Sequence, residues 1–272
     1  MAPMRVAKPG IMAGSRMLLA WLGQGGSVLA LLTMWELLGR SGLFSRFLLP
    51  PFSIVLRRIG DDIWSEQLFG DLAQTLYRTL AGFLISAVLG VIIGILISRS
   101  RPINWLLDPV VSVGFPTPKI AFLPVFLLWF GAYDFSKVAL IVFDAVFPVI
   151  IATVAGTEAV ERELVWSARS LGARGRAVLW EIVLPAALPQ IMTGLQVALP
   201  ICLVIAVVTE LLMGGTGVGG TMIRAARFAD SVGVFAGIVE IAVAGWLLIK
   251  GMELIRRRLL IWHPEVQSLS TV

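Results

Sequence analysis

The side chains that could do chemistry are few, and most fall inside long apolar runs. Between positions 187 and 212, Thr193, Gln196 and Glu210 recur with Pro200, Leu203 and Val207 at spacings of three or four, so all six share one helix face. That face is polar at both ends. Glu210 and its neighbour Thr209 could line a solute path or a gate; Glu210 could instead pair with an arginine. Asp144, central in another apolar run, could pair with Lys119 or face a cavity. An ionisable side chain inside a membrane is costly, which makes each a functional candidate. No nucleophile–base pair accompanies them. There is no H-E-x-x-H, no G-x-S-x-G and no cysteine pair. A membrane enzyme would need titratable groups clustered at one depth, so no catalytic residues are expected. The single cysteine, Cys202, excludes an internal disulfide and a thiolate metal cluster, and no cofactor or metal is expected. The run GGTGVGGT at 214–221 lacks the lysine of a phosphate-binding loop, which argues against nucleotide binding there.

The elements that must hold these residues are membrane spans. Of 272 residues, 58% are hydrophobic and 14% charged, with a mean hydropathy of +0.91. Soluble domains carry about a quarter charged residues. Several runs approach the roughly 20 residues that cross a bilayer. The chain is therefore expected to be all-α and polytopic, with about six transmembrane helices at 17–39, 79–98, 107–130, 137–156, 187–212 and 233–255. A net charge of +5 does not point to nucleic acid, because lysine and arginine collect at the cytoplasmic edges of membranes. Arg5, Lys8 and Arg16 precede the first span, and no small-x-small cleavage site follows it, so it reads as retained. With both termini inside, thirteen Lys/Arg fall inside and eight outside, Lys119 lying within a span. His263, in the run WHP after the last span, reads as an interfacial side chain. The organisation is then a cytoplasmic tail (1–16), a first span with an outer segment (17–78), a core (79–258) with a cytoplasmic loop at 157–186, and a second cytoplasmic tail (259–272).

Three local patterns refine this layout. Gly82, Ser86, Gly90, Gly94 and Ser98 recur every fourth residue, a face on which another helix can approach closely. The stretch FPTPKIAFLPVFLLWFG (115–131) has too many prolines for one smooth helix. Pro116, Thr117, Pro118 and Lys119 there could form a cavity or hinge, or simply a helix entry at the membrane edge. In the outer segment, Pro50-Pro51 breaks the chain, and Ser53 is expected to cap a short amphipathic helix bearing Ile54, Leu56, Ile59 and Ile63. Segment 213–232 reads as a second outer loop. Glu36 and Glu240, near span ends or polar neighbours, read as structural.

The loop 157–186 carries Arg162, Arg169, Arg174 and Arg176 against Glu158, Glu161, Glu163 and Glu181, with a helical run at Glu163–Leu171. So organised a loop between two spans is a surface offered to a partner, which suggests a transport subunit driven from below. A secondary transporter would show paired repeats with matching broken helices, and only one broken span is present.

With these residues in place, the chain resembles the permease subunit of binding-protein-dependent ABC importers, on the branch that carries sulfonates, taurine, nitrate or bicarbonate. The match runs through LLPPFS (48–53), LLDP (106–109), LPVFLLWFG (123–131), SARSLGA (167–173), Ile182-x-Leu184-Pro185, AALP (186–189), TELL (209–212) and GTGVGG (215–220). The family's loop signature opens Glu-Ala-Ala, three residues before its glycine. Here Trp166, Ser167 and Ala168 stand there, before Gly172. The resemblance implies a type I ABC importer permease (MetI-like) architecture in the inner membrane of a bacterium. It implies two permease copies forming the pore and two ATPase subunits docked on the helix around Glu163–Leu171. It implies an extracytoplasmic solute-binding protein, with ATP hydrolysed on the separate subunit. Gly172 would turn the chain after the docking helix, and Ile182, Leu184 and Pro185 would lead into the next span. The solute implied is a small anion such as an alkanesulfonate, taurine or nitrate; a thiamine-precursor pyrimidine or an aromatic carboxylate is the alternative.

Overall fold

The computed structural model describes the backbone of residues 12–262 and the side chains of 26–262. The expectations for Arg5, Lys8, Arg16 and His263, and for most of both tails, lie outside the described side chains. Among the described residues the chain is helical: α1 (Met12–Arg40), α2 (Phe52–Trp64), α3 (Gln67–Arg99), α4 (Arg101–Gly114), a 3-10 turn (Lys119–Phe122), α5 (Leu123–Phe130), α6 (Asp134–Glu158), α7 (Arg162–Ser170), a π-helical turn (Val178–Val183), α8 (Leu184–Met213), α9 (Val218–Arg227) and α10 (Ser231–Leu259). Among the described residues four stretches, built on α3, α6, α8 and α10, are long and apolar enough to cross a membrane, and α4 with the 119–130 segment, bent by 95° at their junction, is together long and apolar enough for a fifth, broken span. Helix α1 covers the first expected span as one continuous helix.

The small-residue stripe finds its partner within the chain. Gly82, Ser86, Gly90 and Gly94 are buried against α6. A Cβ on Gly90 would stand 2.6 Å from Val149 Cβ, and one on Gly94 would stand 2.6 Å from Thr153 Cβ. Gly82 abuts Ile141, and Ser86 Oγ donates to the Gly82 carbonyl at 2.8 Å. Ser98, at the end of the stripe, is half-buried and donates to the Ile95 carbonyl. The numbering rises together along both helices, so α3 and α6 run parallel. On an adjoining face of α6, Gly194 of α8 abuts Ala152, and Gly156 meets Gln190 and Ala187, which fixes α8 as antiparallel. Backbones brought this close gain dispersion contacts that bulkier residues would forbid, the main source of helix association where lipid competes for apolar surface. The buried centre comprises Leu140, Ile141, Ala145 and Val149 of α6 with Ala198, Cys202 and Ala206 of α8.

Several boundaries differ from expectation. Helix α3 begins at Gln67, not near 79, so the boundary at 78/79 falls inside a helix and Arg78 is part of it. Ser53 does not cap α2; Pro51 occupies that position and makes no side-chain cap. The cap comes from another helix. Glu36 of α1 accepts the Ser53 N–H at 2.9 Å and its hydroxyl at 2.8 Å, filling a first-turn donor that Ser53 leaves open. The segment expected as a loop at 213–232 contains α9, which starts in the glycine run.

Candidate functional site

One end of the bundle is tied by a buried polar knot. Arg78 of α3 and Glu210 of α8 pair at 2.6 Å between Nη1 and Oε1. Arg78 also donates to the Thr216 carbonyl and hydroxyl, both at 2.8 Å, and pairs with Asp134 at the start of α6 at 2.7 Å. The second Glu210 oxygen accepts from Thr75 Oγ1 at 2.9 Å and from the Gly219 N–H at 3.0 Å. Asp71 accepts the Gly217 N–H and the Thr221 hydroxyl, and Thr75 accepts the Val218 N–H. The first N–H groups of α9 thus point at two carboxylates and a hydroxyl, the arrangement favoured at the positive end of a helix. Gly217 and Gly219 of the run 214–221 are there because their backbone passes against the Glu210 side chain. Gly217 has φ +103°, and a Cβ on it would sit 2.5 Å from the Glu210 carboxyl. A Cβ on Gly219 would meet the Val207 carbonyl at 2.6 Å. Lys137 adds a bond to the Gly214 carbonyl at 3.1 Å. Glu210 is fully buried; Thr209, also buried, spends its hydroxyl on the Ala206 carbonyl at 2.7 Å.

Midway along the bundle, the break in the fifth span brings a second charge pair together. Phe115, Pro116, Thr117 and Pro118 join α4 to the 3-10 turn. Thr117 Oγ1 closes the end of α4 by donating to the Val113 carbonyl at 2.7 Å. Lys119, 4% exposed, lies 3.3 Å from Asp144 and donates to the Phe115 carbonyl at 2.6 Å. Its ammonium also stands 4.7 Å from the Phe147 ring centroid, a cation–π geometry. Asp144 is ten residues into α6, about 15 Å along its axis, half the thickness of a hydrocarbon core. Non-helical backbone at such depth requires protein around it, and here α6 supplies the carboxylate and the aromatic wall.

At the opposite end α7 forms a nine-residue helix between α6 and α8. Its exit is a Schellman motif. The Gly172 N–H bonds the Arg169 carbonyl, the Ala173 N–H bonds the Ala168 carbonyl, both at 3.0 Å, and Gly172 has φ +96°. Ala168 is buried towards the bundle. Trp166, about 200° round the helix, is 59% exposed. Glu163 and Ser167 are exposed too, and Leu171 is 90% exposed. The chain returns through the π turn, where Ile182 is half-buried, into α8, whose first two positions are Leu184 and Pro185. The backbone is helical on both sides of this junction, so Pro185 removes an amide where the π turn passes into α8. Gln196 accepts from Arg256 of α10, and Thr193 lines a cavity of about 600 Å³ shared with Gln190, Arg256, Glu161 and Leu164.

The candidates from sequence are therefore distributed. Glu210 and Thr209 lie at the knot, Pro116, Thr117, Lys119 and Asp144 at the break, and Gln196 near the α7 end. The structure joins Lys119 to Asp144 and leaves the other groups apart. Sequence reasoning missed Arg78 and Thr75 as partners of Glu210, Asp134 as the second carboxylate on Arg78, and Asp71 as the acceptor of the Gly217 N–H and the Thr221 hydroxyl. The one signal was an arginine four residues from an apolar stripe, within helical reach of it.

Comparison with known proteins gives a consistent family. The family described as binding-protein-dependent transport system inner membrane component matches residues 86–260. The taurine transport system permease protein TauC of Escherichia coli (strain K12) is 34% identical, over 89% of this chain and 90% of that one. SsuC of Bacillus subtilis (strain 168), a permease protein assigned to aliphatic sulfonates transport, is 38% identical over 88% and 86%. The formylaminopyrimidine transport permease protein ThiX of Halalkalibacterium halodurans is 31% identical over 87% and 94%. Among solved structures, a chain of the MetNI methionine ABC transporter in an inward-facing conformation aligns at TM-score 0.62. It has 16% identity over 73% of this chain and 98% of that chain, and supports the fold alone.

Proposed function

The chain belongs to the family of inner membrane components of binding-protein-dependent transport systems, and from that premise we propose that it forms the pore for a small anionic solute and is driven by ATPase subunits docked on α7. It is a multi-pass permease of the taurine and sulfonate type. Two copies would form the pore, an extracytoplasmic binding protein would deliver solute at the Arg78 end, and two ATPases would seat the α7 helices at the other. The observation that carries this reading is α7 itself. It is a short helix set between two spans, closed by a left-handed glycine, with a tryptophan presented away from the bundle.

The lysine and arginine asymmetry supports a cytoplasmic α7 end, with both termini on that side. Closure of the ATPases would move α7, and the parallel packing of α3 on α6 would carry the displacement to the knot as a rigid unit. Glu163, Trp166, Ser167, Ala168 and Gly172 would form the docking element, with Ile182, Leu184 and Pro185 joining it to α8. Pro116, Thr117, Lys119, Asp144 and Gln196 would border the path. An alkanesulfonate or taurine is favoured by the identity to the taurine and sulfonate permeases. This chain would bind no nucleotide.

The test is co-purification of the tagged chain from its host, followed by uptake into proteoliposomes holding the recovered proteins. An ATPase recovered in about equal amount, and ATP-dependent uptake of an alkanesulfonate or taurine, are expected. A chain recovered alone, with uptake indifferent to ATP, would overturn the reading. Uptake of a pyrimidine in place of sulfonates would move the solute to the alternative class.

A further inference from the structure

Helices α3 and α10 enclose a groove of about 500 Å³ that neither the knot nor the break uses. Leu72, Leu76 and Leu80 of α3 face Val243, Leu247 and Met252 of α10 across it. Its walls are apolar but for Glu240. It stays open along one side, where Leu80, Val243 and Leu247 are 40%, 52% and 57% exposed. Both helices are long and apolar enough to span a membrane, so wherever a second copy does not cover it the groove faces hydrocarbon. From Val239 to Ile255 it runs about 24 Å along α10, longer than the roughly 15 Å depth of one leaflet.

The groove has a polar end. Glu240 and Leu68 border both it and a neighbouring pocket that holds Arg58, Asp62, Gln67 and Asp71. Arg58 spends Nε on Asp62 and Nη1 on Asp230, while its Nη2 bonds to none of the described residues. Asp71 is committed to Gly217 and Thr221. Glu240 makes no hydrogen bond or ion pair with any described residue. A carboxylate in an apolar wall without a partner is costly, and it is the group that a ligand cation would satisfy. Counting Asp230, four carboxylates surround one guanidinium, so an anionic head is repelled and a head carrying an ammonium is attracted.

We infer that this groove holds the acyl chain of a phospholipid with a primary ammonium head, of the phosphatidylethanolamine type. Its ammonium sits at Glu240 and its phosphate at Arg58 Nη2 and Gln67. The tail fills the space between the leucines of α3 and the apolar face of α10, and the lipid ties α2 to both spans.

The test uses the full chain, delipidated in mild detergent and offered phosphatidylethanolamine or phosphatidylglycerol with identical acyl chains, read by native mass spectrometry. The wild type is expected to retain one phosphatidylethanolamine per chain, with at least tenfold preference. Glu240→Gln should bring the two lipids to within twofold. Leu247→Trp, on the exposed rim, should cut retention of both at least fivefold with elution volume and helical signal unchanged. Equal retention of both lipids by the wild type would overturn the head-group assignment, and no retention would overturn the site. Inter-chain disulfide formation by Val243→Cys would make a second copy the occupant and also overturn it; the native Cys202 is buried and does not compete.

Discussion

Arg78 and Glu210 lie 132 residues apart in sequence, and their side chains meet at 2.6 Å with 1% and 0% of their surface exposed. Each charge is fully occupied. The guanidinium reaches Glu210, Asp134 and Thr216; the carboxylate reaches Arg78, Thr75 and the Gly219 amide. Three spans and the glycine-rich approach to α9 therefore converge on one ion pair. Its value lies less in Coulomb energy than in what happens when one partner is missing, because the remaining charge has no water to turn to.

Removing Arg78 alone should accordingly cost more than removing both. Arg78→Leu, which leaves the buried Glu210 without a cation, is expected to cost roughly 3–5 kcal/mol, Glu210→Leu less because Arg78 keeps Asp134, and the double variant less than Arg78→Leu. Thermal unfolding of the purified chain in detergent reads this directly. Additive losses in the double variant would mean that the two side chains do not act as a pair.

The α3–α6 contact makes a steric prediction. A methyl group on Gly90 would enter the space of Val149, so Gly90→Ala should cost about 1–3 kcal/mol, and Val149→Ala in the same chain should recover only the part owed to the γ carbons, because the Cβ at 149, 2.6 Å away, remains. Gly60, where a Cβ meets nothing within 4 Å, is the control. There alanine should stabilise α2 by about 0.5–1 kcal/mol through its helix propensity. Melting temperatures of the three variants against the wild type check both signs.

These two sites differ in how far sequence could reach them. The stripe from Gly82 to Ser98 is periodic and local, so its face was legible; only its partner, α6, needed the fold. The prolines at 116, 118 and 124 announced a broken span for the same reason, since each removes an amide wherever it lies. The knot was not legible. Residues 67–78, QLFGDLAQTLYR, are too polar to read as membrane, so their sequence predicts a late start for α3 and leaves Arg78 outside it. Burial of Arg78 depends on Glu210, Thr216 and Asp134 arriving from elements over fifty residues away, and no local pattern encodes that arrival. Ser53 misled in a similar way. A serine before a helix is a good cap by type, yet the carboxylate that caps α2 comes from α1.

The Lys119–Asp144 pair pins the break to α6, and its separation from the bundle ends makes it a test of the proposed path. Asp144→Leu leaves a buried ammonium with the Phe115 carbonyl and the Phe115 and Phe147 rings but no carboxylate, and should destabilise the chain by roughly 3–5 kcal/mol. Lys119→Met combined with Asp144→Leu should recover the melting temperature while uptake stays low. Full uptake by that double variant would make the pair purely structural.

Gly172 is held at φ +96°, outside the range open to proline, whose ring fixes φ near −65°. Gly172→Pro also deletes the amide that bonds the Arg169 carbonyl. The turn after α7 then cannot form, while α6 and α8 are untouched. Uptake should fall to background with the amount of chain in the membrane unchanged, measured by transport assay and immunoblot of the same membranes. Normal uptake would refute a docking role for α7.

Trp166 tests the chemistry of that docking. It stands on the side of α7 opposite Ala168, with Arg162, Glu163 and Arg169 around it on the same short helix. A large aromatic ringed by charged side chains is the composition of a binding hot spot, where the ring is desolvated and the charges form the rim. A charge in its place would make docking sensitive to salt; a tryptophan makes it depend on buried area instead. Trp166→Ala should therefore weaken ATPase binding by about 2 kcal/mol, roughly thirtyfold, and the wild-type affinity should change little between low and high salt. Titration of the ATPase onto the reconstituted chain at two ionic strengths measures both. A strong salt dependence with a silent Trp166→Ala would place the binding energy on Glu163 and the arginines, and α7 would dock by charge after all.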